Sequence, residues 1–457
     1  MKSTLTVLIA ERLLCTILNF VIAFTLTSSF VVASAQDLVL QPQAKTTNLA
    51  DGFINVRNFG AVGNGIEDDT LAIQTAIDQR GIIYLPPGTY RISTPLKVSS
   101  NTHLIGATVQ SVIRQHTSNS PILVLNGERL LISNLKLQFA SPQSPQNQNA
   151  AGIRINRLYE SIIEKLYIDG AYRGIELDHP ISGNSSFMYS CSLRDIRITR
   201  YSNHGLYFRS NNAFSTGNVF LNIYINNWDD FRAKSKTQAK AGAHFQNFSE
   251  SFAAQLNVEH TISDQAFVFN NCNAFTLYSF HIEGVDPVMN YSGYFSIHRA
   301  NVRIAGGTLM FSNINAEHYA LFKLDDNSKL FVENVLTRDI SGKGINRWLF
   351  YSTSRTGEIE ANGISSDIFK KSSLPAIHPP ILRRLNENFF HYKLGGMNIS
   401  YGSSPPSSGK WNQGDKIYNT EPIEQGSQGR KYVISGWICT HGGSPGTWTP
   451  MQALTGN

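Results

Sequence analysis

Glu259 and Glu283 each close a three-residue apolar alternation, Leu256-Asn257-Val258 and Phe280-His281-Ile282. The same arrangement puts Asp169 after Leu166-Tyr167-Ile168, Thr199 after Ile196-Arg197-Ile198 and Asn226 after Ile223-Tyr224-Ile225. Stacked as strands of consecutive coils, about 4.8 Å apart, these five residues form one surface column in which Glu259 and Glu283 are neighbours. Two carboxyl groups about 5 Å apart match the pair that cleaves a glycosidic bond with retention. Close approach also raises the pKa of one of them, as a general acid requires. A two-coil separation, near ~10 Å, lies at the margin of the inverting arrangement. Asp229 and Asp230, on the turn after Asn226, are candidates for an inverting partner across the groove. His260 and Arg209 are candidates to grip substrate hydroxyls or carboxylates. Asp178 and Glu176, flanked by Arg154 and Tyr207, form a second candidate patch, where opposite charges in adjacent coils predict structural ion pairs. The competing expectation is an ordinary solvated row of acids, and a slip of one residue turns the whole column inward.

Such a column needs a scaffold that repeats, and the chain repeats between Leu130 and Asp367. A Gly or small residue opens each unit, at Gly152-Ile153-Arg154-Ile155, Gly174-Ile175-Glu176-Leu177, Gly205-Leu206-Tyr207-Phe208, Gly242-Ala243-His244-Phe245 and Ala266-Phe267-Val268-Phe269. Each unit is too short to bury its own apolar face, so it must stack on its neighbours, and the strand-rich way to do so is a parallel β-helix. Unequal spacing between openings predicts constant winding with loops of different length, where function concentrates. Upstream, Phe53-Ile54-Asn55-Val56 reads as a strand, followed by the turn-rich stretch Gly60 to Gly65. Asp68 and Asp69 then stand as N-cap and first-turn acid of a short amphipathic helix whose apolar face is Leu71, Ile73, Ala76 and Ile77. Its expected role is to cover the open end of the solenoid.

The string from Asn55 to Gly106 contains Phe59-Gly60-Ala61-Val62-Gly63-Asn64-Gly65, Asp68-Asp69-Thr70, Tyr84-Leu85-Pro86-Pro87-Gly88 and Leu104-Ile105-Gly106. It resembles the N-terminal signature of the pectate-lyase-type superfamily. Within that superfamily it is most similar to the family 28-related glycoside hydrolases, the rhamnogalacturonase/epimerase-like group that includes phage tailspikes. The repeats extend the likeness to about Asp367. The resemblance implies an all-β, right-handed parallel β-helix that acts on or binds polysaccharide. Of the motifs that mark polygalacturonases, the chain carries Asn203-His204-Gly205 and Arg197-Ile198-Thr199 as partial counterparts and no Asn-Thr-Asp.

A chain of 457 residues that is 41% hydrophobic and 16% charged can bury a large core and is not of the disordered type. Lys2 and Arg12 precede an apolar run, Leu13 to Val32, that ends in Ala33-Ser34-Ala35. This pattern fits a cleaved export signal better than an uncleaved membrane anchor, because Thr16, Asn19, Thr25, Thr27, Ser28 and Ser29 dilute the run. The expected layout is a signal peptide at 1–35, a linker at 36–51, the β-helix with its N-terminal cap at 52–372, a second linker at 373–410 and a small C-terminal β module at 411–457. The module's aromatics are expected to form its core rather than a sugar platform. The net charge is +6, with Arg232, Lys234, Lys236 and Lys240 clustered in the longest insertion, either as a solvated loop or as a contact for an acidic polymer. No nucleic-acid motif accompanies that charge. Past the signal, Cys191, Cys272 and Cys439 give neither a disulfide framework nor zinc spacing, and Cys191 and Cys272 are expected as small apolar fillers.

The expectation is a secreted or cell-surface polysaccharide-degrading enzyme, a glycoside hydrolase acting on an acidic, pectin-like or bacterial glycan through paired carboxylates, with no cofactor and no metal. The alternatives are a polysaccharide lyase, the one case in which Ca2+ would come into question although the sequence has no calcium-loop pattern, and a non-catalytic glycan-binding or tailspike-like surface protein. The expected partner is the polysaccharide alone, without nucleic acid or lasting membrane insertion. A homotrimer of the tailspike kind finds no coiled-coil heptad to support it.

Overall fold

The computed structural model describes residues 52–177, 185–211, 213–230, 235–236, 238–287, 292–311, 319–325, 327–339, 347–352, 358–362, 365–366, 391–394 and 397–456. The expected signal at 1–35, the linker at 36–51 and residues 373–390 of the second linker lie outside the described residues.

Short strands separated by bends pair in parallel with the equivalent strand one coil later, which makes a parallel β-helix. The unit openings Ala151–Tyr159, Arg173–Leu177, His204–Arg209, Ala241–Gln246 and Gln265–Asn270 form one ladder. The unit closings Leu131–Phe139, Ile162–Asp169, Ser192–Thr199, Val219–Asn226, Phe252–Ile262 and Asn273–Asp286 form another. Inward residues line up from coil to coil: Ile168, Ile198, Ile225, Val258 and Ile282 are all fully buried. Further along, Phe267, Phe295, Phe322 and Phe350 stack at centroid spacings of 5.2, 5.0 and 5.4 Å.

Each closing strand carries an apolar pattern that strict alternation cannot satisfy. Ile163 and Leu166 are three residues apart yet both face the core, as do Leu193 and Ile196, Phe220 and Ile223, and Ala253 and Leu256. The pleat must break once between them, and it does so at a left-handed residue. Asn134, Lys165, Asp195, Asn222, Gln255 and Ser279 have φ of 50–58° and stand in register. A left-handed non-glycine residue costs roughly 1–2 kcal/mol, which burial of a second large apolar side chain, at about 1.5–3 kcal/mol, offsets.

The glycines that open the units serve close approach rather than a turn. Gly152, Gly174, Gly205 and Gly242 stack on one another, and a Cβ on Gly174 would lie 2.5 Å from the Gly205 carbonyl oxygen and 2.6 Å from Ile198 Cγ2. Hydrogen is the only substituent that fits there.

At the N-terminal end the helix Thr70–Asp78 buries Ile73, Ala76 and Ile77 against the coils. Two details differ from the sequence reading. Leu71 points to solvent at 78% exposure, and the acids precede the helix instead of entering its first turn. Asp68 accepts from the Thr70 backbone N–H at 3.0 Å, while the buried Asp69 carboxylate turns back to the Val62 and Gly63 N–H groups at 2.6 and 3.1 Å. Asp69 therefore fixes the glycine-rich turn onto the cap. At the other end, Lys416–Asn419, Lys431–His441 and Thr447–Gly456 form a small antiparallel sheet over a core of Trp411, Ile417, Trp437 and Cys439. Cys191, Cys272 and Cys439 are all buried and unbridged, and burial pushes the Cys272 thiol up to about 12.

Candidate active site

The ladder of closing strands pairs Asp169 with Thr199, Thr199 with Asn226, Asn226 with Glu259 and Glu259 with Glu283. The two glutamates are thus neighbours in consecutive coils. They face outward, because Val258 and Ile282 occupy the inward positions beside them. Carboxylate oxygens of both, together with an imidazole nitrogen of His260, lie within 4.8 Å of one another.

His260 reaches this cluster through its backbone. At φ 51° it occupies a left-handed corner that Gly170, at 81°, and Gly284, at 60°, occupy in other coils. That step breaks the strand alternation immediately after Glu259, so two successive side chains meet outside the core. The His260 Nε2 lies 3.8 Å from Glu259 Oε2.

The face also carries the residues two positions earlier, in a second column: Lys136, Tyr167, Arg197, Tyr224, Asn257 and His281. Tyr224 donates its hydroxyl hydrogen to Glu259 Oε2 at 2.5 Å, and Asn226 Nδ2 donates to Tyr224 Oη at 3.1 Å. His281 Nε2 lies 3.2 Å from Glu283 Oε2 and 3.9 Å from Glu259 Oε1, between the two acids. Lys136 sits over the Tyr167 ring at 5.1 Å and Arg197 over the Tyr224 ring at 5.1 Å, giving cation–π contacts along the same stripe. Tyr224 and His281 were missed at the sequence level, although the alignment that stacked the acids, shifted back by two residues, places both beside them.

The environments of the acids differ. Burial pushes the Glu259 pKa up, against the Tyr224 hydrogen bond and the nearby His281, and the charge of Glu283 adds to the rise. Burial and the bond to Glu259 push the Tyr224 hydroxyl up to about 12. Asp169, three coils back from Glu259 in the same column, is also buried, yet Arg200 grips it at 2.7 and 2.6 Å and Gln138 donates to it at 3.0 Å. Those partners hold it below the ordinary carboxylate range. Asp169 is held as a carboxylate by its partners, whereas burial of Glu259 outweighs its hydrogen bond and raises its pKa.

The remaining candidates lie elsewhere. Tyr207 and Arg209 belong to the ladder of opening strands, where the Arg173 guanidinium sits 3.9 Å from the Tyr207 ring centre. Arg154 and Arg173 both bind Glu176 there, the latter at 3.0 Å, as the ion pairing expected for that patch requires. Arg209 is therefore on a different ladder from the glutamate pair. Asp229 and Asp230 lie on a short strand, Trp228–Asp230, that leaves the coil and pairs antiparallel with Ser235–Lys236; their side chains, like the whole of Asp178, fall outside the described residues. As a metal site, Glu259, Glu283 and His260 offer two carboxylates and an imidazole, a set better suited to a divalent transition metal than to Ca2+, which prefers oxygen throughout.

Comparison with known proteins agrees with this architecture. The family described as rhamnogalacturonase A/epimerase, pectate lyase-like matches residues 53–274. The mannuronan C5-epimerase AlgE2 of Azotobacter vinelandii is 46% identical over 65 residues, 12% of this chain and 6% of the epimerase. The plasmin and fibronectin-binding protein A of Streptococcus pneumoniae is 35% identical over 92 residues, 19% of this chain and 13% of that protein. The chain thus spans a small fraction of these relatives' length. Among solved structures, the gp42 tailspike of Acinetobacter phage vb_AbaP_AS12 superposes with a TM-score of 0.55 at 11% identity, over 92% of this chain and 84% of that one. The S. pneumoniae surface adhesin PfbA does so with a TM-score of 0.50 at 14% identity, over 88% and 98%. With strands winding in parallel and the family match running from the cap to the start of the sixth closing strand, this chain is a parallel β-helix protein whose residues 53–274 resemble the pectate-lyase-like family.

Proposed function

We propose that the protein is an extracellular enzyme that hydrolyses an acidic polysaccharide, with Glu259 as proton donor and Glu283 as the second carboxylate. The observation that carries this reading is the register pair Glu259–Glu283, with one member desolvated and the other beside an imidazole. Protonated Glu259 gives its proton to the glycosidic oxygen as the bond to the anomeric carbon breaks. Ionised Glu283 attacks that carbon and holds it as a glycosyl ester. Glu259, now a carboxylate, then takes a proton from the water that cleaves the ester, which regenerates both groups. The close spacing of the carboxylates supports retention. Lys136 and Arg197, stacked along the approach, supply positive charge for an acidic chain. Relatives named as mannuronan epimerases support a glycan as ligand, and neighbours named as a tailspike and a surface adhesin support a location outside the cell.

A second reading follows from the hydrogen bond between Tyr224 and Glu259. In this reading the same groups would remove the proton adjacent to a uronate carboxylate, which is lyase-type elimination. Incubation with polygalacturonate and polymannuronate separates the two: hydrolysis releases reducing ends without ultraviolet absorbance, and elimination releases an absorbing unsaturated sugar. Glu259→Gln and Glu283→Gln are each expected to lower turnover by about 10²–10⁴. Full activity in both variants would exclude the pair as the reaction centre.

A further inference from the structure

A cavity of about 470 Å³ opens on the ladder of opening strands, away from the glutamate pair. Lys240 and Arg299 line it, and the one acid among its described lining residues, Asp325, is bound by His298. Gln265 and Asn270 bring amide groups, and Val268 an apolar side chain. All three stand on one strand, Gln265–Asn270, where alternation turns Val268 and Asn270 to the same side and Gln265, at the strand's start, also lines the cavity. His204 and His244 complete the wall, with ring centroids 5.8 Å apart. The Nε2 of His244 is shut off from solvent without a hydrogen-bond partner.

We infer that this cavity is a second saccharide site, one that binds the uronate unit of an acidic glycan through Lys240 and Arg299 while the carboxylate pair works on another part of the chain. The inference rests on the acidic-polysaccharide reading for its ligand class and on a separate set of residues for its site. Charge defines the recognition: two cations face the cavity, and the one acid among its described lining residues is already engaged. His244 reports the same field, since burial and then repulsion from His298, Lys240, Arg209 and Arg173 push it down to about 3. Volume defines the size of the ligand. A cavity in the range of small-molecule sites is far larger than one phosphate or sulfate needs, and it has room for a sugar ring with its neighbour in the chain. The amides of Gln265 and Asn270 match ring hydroxyls, and Val268 matches a C–H face of the ring.

The test is calorimetric titration of the full chain with galacturonate and mannuronate disaccharides, with cellobiose and inorganic phosphate as controls. Saturable uronate binding is expected that weakens by at least about tenfold in Lys240→Gln/Arg299→Gln, because charged hydrogen bonds are removed. Asn270→Trp, which plugs the cavity and keeps both cations, is expected to weaken it likewise. Glu259→Gln/Glu283→Gln is expected to retain binding within about twofold, since it touches neither cation. Absence of saturable uronate binding, equal binding of phosphate or cellobiose, or loss of binding only in the glutamate variant would each overturn the inference. Turnover of polymer, measured separately, reports on the glutamate pair and so keeps failure of the hydrolase reading distinct from failure of this one.

Discussion

At the scale of single residues, the site is set by which acids have been given partners. Asp169 and Glu259 share a column and a degree of enclosure, yet Arg200 neutralises the first while Tyr224 and two imidazoles surround the second. Because the folded-state pKa of Glu259 is raised, its ionised form costs stability above that pKa, and the cost disappears once pH falls below its unfolded value. Glu259→Gln is therefore expected to raise the thermal midpoint at neutral pH and to leave it unchanged below about pH 4. Thermal scans from pH 3.5 to 8 check this, and a midpoint that falls at neutral pH would refute the account. His260 carries a similar cost in its backbone. His260→Gly is expected to gain about 1 kcal/mol of stability by relieving the left-handed corner, while activity falls if the imidazole grips substrate. Denaturant midpoints and turnover on the same preparation test both halves.

At the scale of the element, the glycines and the left-handed bends do opposite things. The glycine column lets coils approach where a methyl group has no space. Gly205→Ala would place Cβ 2.4 Å from Ile225 Cγ2 and 2.9 Å from the Gly242 carbonyl oxygen, and is expected to cost about 1–3 kcal/mol. Equilibrium unfolding measures it, and an unchanged midpoint would mean the coils are looser than these distances. The bends, by contrast, accept Lys165 and Gln255 in a conformation that favours glycine, because two inward side chains on either side dictate the turn. The same rigid bend sets the register that brings Glu259 beside Glu283.

At the scale of the whole molecule, stacked coils gain stability from their neighbours, so the first coil depends on what covers it. Ile73, Ala76 and Ile77 of the helix Thr70–Asp78 do this. Ile73→Asp is expected to uncover strand edges and promote association, seen as a higher apparent mass by light scattering. A variant that stays at the wild-type mass and thermal midpoint would show that the cap is dispensable. Along the outside, one solenoid presents two separate faces with chemistry. The closing strands carry the glutamates and the cation–π stripe, and the opening strands carry the cavity lined by Lys240 and Arg299.

The sequence alone determined the winding, the cap and the stacking of Glu259 on Glu283. A period-two pattern fixes which side chains face in, and repetition fixes which residues share a position. It also foretold that Glu176 would sit among arginines and that the terminal tryptophans would form a core. The left-handed corner at His260, the enclosure of Glu259 and the separation of Arg209 and Tyr207 from the glutamates were decided only by tertiary structure. Each depends on how far a backbone turns between strands and on which ladder a strand joins, and neither quantity is encoded in the local alternation of apolar residues.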